Sequence, residues 1–151
     1  MSQPSLYREA DRTALLDRLQ RLSPEARAQW GKMDVAQAMA HCQTPLRIGL
    51  GEITVKRAFI GRLFGGMAKR KQVSGQVTPR GLPTLNEFRV SDQRDFARER
   101  DNLVAVVKRF AVAGSAGALR SEHPFFGKLT AAEWDLIMWN HIDHHLRQFG
   151  G

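Results

Sequence analysis

The chain predicts an all-α fold, a four-helix bundle with a long irregular crossover between its second and third helices. Three observations predict it: four segments whose apolar residues recur at three- and four-residue spacing, start signals on three of them, and no set of alternating strands. Length and composition agree, since 151 residues with 42% hydrophobic content suit one sizeable core. Residues 1–151 are therefore expected to form a single domain.

The first helix runs from about Tyr7 to Leu22, with Leu15, Leu16 and Leu19 on one face, and ends before Ser23-Pro24. The second begins at Asp34, where Asp34 and Gln37 form a D-x-x-Q capping-box start, and carries Met39, His41, Cys42 and Leu46. Pro45 falls inside it and cannot donate to the His41 carbonyl, so the helix is expected to kink or loosen beside that histidine. Ser91 and Asp92 announce the third helix, which continues to about Val112 with Phe96, Leu103, Val106, Val107 and Phe110 as its buried stripe. The run from Ala113 to Gly117 stops it. The fourth opens on Thr130 as N-cap with Glu133 three residues on, places Leu129 against Trp134, and runs to about Gln148. Between the second and third helices, Gly49 to Val90 reads as loops with one short helix over Val55 to Phe64.

No apolar run reaches bilayer length, and the first residues lack the basic-then-apolar order of a secretory signal. A cytoplasmic location is expected. Cys42 is the only cysteine, which excludes an internal disulfide and any multi-cysteine metal site. Any metal must be held mostly by nitrogen and oxygen. The net charge of +8 favours anionic partners, yet acids and bases alternate along much of the chain, as on solvated helix faces.

The chemistry is densest near the C-terminus, where three of the five histidines fall within one helical turn. At about 100° per residue, His141 and His145 lie about 40° apart on the side of Trp134, Ile137, Met138 and Phe149. They face the core. Imidazoles at i and i+4 can reach one ion between them, although H-x-x-x-H alone is a weak signal and lacks the glutamate of metalloproteases. His41, on another bundle helix, is the natural third ligand. Three neutral imidazoles leave a position open for water or substrate and suit Zn(II), Ni(II) or Fe(II). His144 points about 100° away from His145 and belongs at the rim. Gln37, Asp143 and His144 are the candidates to support the ligands from outside, with an ordinary structural role preferred for Gln37 and Asp143. Cys42 follows His41 directly but points elsewhere on the helix, and reads as a packing residue. His123, before Pro124, reads as structural, and Trp30, Trp134 and Trp139 as core.

Three segments resemble the DinB-like (YfiT-like) superfamily of four-helix bundles, and more closely a small uncharacterised branch ending in HxDHHLRQFG. They are His123 to Thr130 (HPFFGKLT), His141 to Gly150 (HIDHHLRQFG), and Trp30 through Cys42; Gly81 to Thr84 (GLPT) is similar too. The resemblance covers nearly the whole chain. It implies a divalent metal on one histidine of the second helix and an H-x-x-x-H pair of the fourth, which correspond to His41, His141 and His145. It also implies activities among metal-dependent thiol S-transferases, hydrolases and isomerases, with a metal-bound water or thiol as nucleophile and a low-molecular-weight thiol or other small molecule as substrate. No catalytic side chain is identified by spacing, and a homodimer is compatible with such bundles.

A competing reading rests on Val55 to Lys71, which holds Lys56, Arg57, Arg62, Lys69, Arg70 and Lys71 with no acid. Phe59, Ile60, Leu63, Phe64 and Met67 fall there at helical spacing. Such a segment suits an anionic membrane, nucleic acid or an anionic substrate. The preferred expectation is a solvated helix covering one end of the core, because Gly61, Gly65 and Gly66 weaken it and no nucleic-acid motif accompanies it.

Overall fold

The computed structural model describes residues 2–76, 78–80, 84–120 and 122–151, and is an all-α bundle with one small hairpin. Its helices are α1 (Glu9–Arg21), α2 (Val35–Gly49), α3 (Phe59–Val73), α4 (Phe96–Ser115) and α5 (Ala131–Gln148). A 3-10 turn, Asn86–Phe88, precedes α4. Strands β1 (Glu122–His123) and β2 (Gly127–Lys128) pair antiparallel before α5. The Gly81 to Pro83 part of the GLPT stretch lies outside the described residues.

The four expected helices are α1, α2, α4 and α5. Two start where the capping boxes place them: Asp34 accepts from the Gln37 backbone N–H at 2.8 Å, and Thr130 from that of Glu133 at 3.2 Å. In each box the third helical residue accepts in return from the cap's own N–H. Helix α4 begins later than expected. Its cap is Asp95, which accepts from the Arg98 N–H at 2.8 Å, while the Asp92 carbonyl is taken by the Gln37 side chain. Helix α2 runs through Pro45 to Gly49 and is the central element, with 12 of its 15 residues buried. Met39 and Leu46 from α2 share the core with Leu15 and Leu19 from α1, Leu103, Val106 and Phe110 from α4, and Trp134, Ile137, Met138 and Leu146 from α5. Each such side chain contributes roughly 1.5–3 kcal/mol on burial.

The crossover departs most from expectation. Instead of a short helix over Val55 to Phe64, α3 starts at Phe59 and extends for 15 residues. Its glycines explain why it persists. Gly61 and Gly65 are buried against the hairpin turn, where an added Cβ would stand 2.6 and 2.0 Å from the Phe125 carbonyl oxygen. They are the docking face of the helix. The Ala58 N–H donates to the Pro124 carbonyl at 3.0 Å and Lys69 to the Lys128 carbonyl at 3.1 Å, fastening both ends to the hairpin. As expected, α3 is a largely solvated helix, but it turns its small residues inward and its large apolar ones outward.

Candidate metal centre

Helix α2 supplies His41, and α5 supplies His141 and His145 one turn apart. The structure brings the three together. Their ring centroids form a nearly equilateral triangle with sides of 4.8, 4.8 and 4.9 Å, and the rings stand steeply to one another at 68°, 76° and 87°. One nitrogen from each lies within 4.8 Å of the other two, and His41 Nε2 is 2.9 Å from His141 Nε2. Bonds of about 2.0–2.1 Å around a tetrahedral zinc set ligand nitrogens about 3.4 Å apart. The closest pair is tighter than that and the widest separation looser, so side-chain adjustment of about an ångström brings all three to one centre.

Hydrogen bonds from behind set the proton positions. His41 Nδ1–H donates to the Phe88 carbonyl at 2.8 Å, which leaves Nε2 as a lone pair. His145 Nδ1–H donates to Gln148 Oε1 at 2.7 Å, and the Gln148 amide nitrogen donates onward to the Trp30 carbonyl, which fixes Oε1 as the acceptor. Its Nε2 is likewise a free lone pair. With His41 Nε2 able only to accept, the short contact is satisfied by a proton on His141 Nε2. His141 Nδ1 is then a buried acceptor with no partner among the described residues. Two lone pairs held in place from outside, beside an imidazole that cannot satisfy both of its nitrogens, fit a cation better than they fit a closed hydrogen-bond network.

Electrostatics point the same way. Burial holds His41 below the ordinary histidine range and His141 well below it, with the neighbouring imidazoles adding to the effect on His141. Burial and then His41 push His145 down to about 3. All three are neutral at neutral pH, the form in which imidazole binds metal. The metal-ligating group found among the described residues contains no carboxylate, so the donor set is nitrogen alone.

The three candidates for supporting the ligands from outside do not contact them through hydrogen bonds among the described residues. Gln37 is engaged in the α2 cap, its Oε1 accepting from Asp34 and its Nε2 donating to Asp92. Asp143 pairs with Arg18 at 2.6 Å and Arg147 at 2.9 Å, tying α5 to α1. His144 stays outside the triangle, half-buried, with its ring edge-on to Trp30 at 5.4 Å, and Trp30 in turn lies under the Arg80 guanidinium at 4.2 Å. The supporting groups are instead the Phe88 carbonyl and Gln148. The spacing of His145 and Gln148 places them on one face of α5, a signal present in the sequence; the Phe88 carbonyl comes from the crossover and carries none.

Two other groups take structural parts. His123 is buried, its Nδ1 accepting from the Phe125 and Phe126 N–H groups at 3.1 and 3.3 Å. Cys42 is fully buried in the core, where burial drives its thiol pKa up and leaves it inert.

Fold and cluster together define a helical-bundle protein with a three-histidine candidate metal centre. The chain belongs to the DUF1569 family, described as "Protein of unknown function", whose model matches residues 2–150. No curated protein and no solved structure matches it.

Proposed function

We propose that this is a DinB-like bundle, a single cytoplasmic domain in which His41, His141 and His145 hold one divalent ion, Zn(II), Ni(II) or Fe(II), and that the centre serves a thiol S-transferase or hydrolase reaction on a small molecule. The observation that carries this reading is the triangle of neutral imidazoles, two of them with lone pairs held inward by Phe88 and Gln148. An ion bound there supplies Lewis acidity, which makes a water or thiol nucleophilic at neutral pH. The protein's own part is to orient the ligands, to keep them deprotonated by burial, and to group no fourth His, Cys, Asp or Glu with them among the described residues, which would leave a coordination position for the nucleophile. His144 stands beside His145, with Trp30 edge-on to it and the Arg80 guanidinium over Trp30, so an anionic or flat substrate group at this rim would meet a cation and two rings.

The test uses tag-free protein loaded with each metal in turn, mixed with a low-molecular-weight thiol and an alkylating electrophile, and in parallel with activated esters. Loss of free thiol, or release of acid, above the uncatalysed rate is expected with one of the metals and is abolished in a His141→Ala, His145→Ala variant. Rates that ignore both the metal and the variant would remove the enzymatic reading.

A further inference from the structure

Of the seven large apolar side chains exposed among the described residues, five sit on α3: Phe59 (76% exposed), Ile60, Leu63 (62%), Phe64 and Met67. They fall within an arc of about 140° on the helix wheel, opposite Gly61, Gly65, Ala68 and Gln72, which face the body. Around this arc stand Lys56, Arg62, Arg70 and Lys71, all exposed and without an ion pair among the described residues. Residues 55–71 contain no acid.

We propose that the outer face of α3 docks on an anionic lipid bilayer, its five apolar side chains entering the headgroup boundary while the flanking Lys and Arg side chains meet the lipid phosphates. Charge complementarity selects this occupant. A second copy of the chain would bring one acid-free cationic face against another in a molecule of net charge +8. Nucleic acid would satisfy the cations but leave Ile60, Leu63 and Met67 against phosphates, with nothing to bury them. A bilayer surface takes both kinds of group, and long basic side chains reach from an inserted apolar face back to the headgroups. The helix lies on the surface, since no described helix is long and apolar enough to cross a membrane. Rigid docking of Gly61 and Gly65 on the hairpin holds the apolar face outward before any lipid is met.

The test is co-sedimentation of the full chain with phosphatidylcholine vesicles, with and without phosphatidylglycerol, across a salt series. Expected are binding to the anionic vesicles only, weakening with salt, a loss of roughly 30-fold in an Arg70→Gln, Lys71→Gln variant at about fivefold per charge, and abolition in Phe59→Ser, Leu63→Ser, Phe64→Ser. Circular dichroism checks that the triple variant folds; if it does not, the charge variant and the salt series decide. The proposal is overturned by no binding to anionic vesicles, or by binding that a folded triple variant retains. It is equally overturned if the face instead closes a dimer that Leu63→Ser dissociates, or binds duplex DNA or RNA while vesicles stay free.

Discussion

Gln148 shows how one side chain couples the site to the fold. Its amide oxygen orients His145 and its amide nitrogen holds the Trp30 carbonyl, so the segment before α2 and the end of α5 are joined through the ligand's own support. A Gln148→Ala substitution is expected to lower metal affinity by about 10- to 100-fold, read by competition with a chromophoric chelator, while the helical circular dichroism stays unchanged. An affinity equal to that of the parent protein would show that His145 needs no orientation. The sequence made the three histidines legible because helical periodicity fixes direction along a single element. Gln37 and Asp143, near the ligands along the chain, take the ordinary structural roles preferred for them. Their actual partners, an N-cap and two arginines, are local or surface demands that outrank a role at the site.

At the scale of elements, the bundle helices were legible where a cap and an apolar stripe agreed, as at Asp34 and Thr130. They were less so where two acids competed for one start, as Asp92 and Asp95 do before α4. Helix α3, Phe59–Val73 rather than Val55 to Phe64, is less legible for a different reason. Glycine lowers helix propensity, but the gain from backbone approach to the hairpin turn is tertiary and leaves no periodic trace. Two substitutions separate these effects. Gly65→Ala, whose Cβ would meet the Phe125 oxygen at 2.0 Å, is expected to destabilise by about 1–3 kcal/mol in urea unfolding. Gly66→Ala, which meets nothing within 4 Å, is expected to stabilise by about 0.5–1 kcal/mol. Equal shifts from the two would contradict the docking of α3 through its glycines.

For the whole molecule, the buried histidines make stability depend on pH. Burial lowers His123 and His145 from 6.5 to about 3 in the folded chain, so between those values the unfolded chain binds more protons than the folded one. Stability of the metal-free protein is therefore present in full above pH 6.5 and is lost progressively as the pH falls toward 3. Urea titrations at a series of pH values check this, and a flat profile over that window would contradict the buried, neutral histidines. The central claim, one divalent ion shared by two helices, is tested most directly by equilibrium dialysis of tag-free protein against Zn(II), Ni(II) and Fe(II), with bound metal counted per chain. The account predicts about one ion per chain, retained by the parent protein and lost when His41, or His141 with His145, is replaced by alanine. A folded protein that takes up none of these metals in stoichiometric amount, or that keeps its ion after all three histidines are replaced, would contradict it.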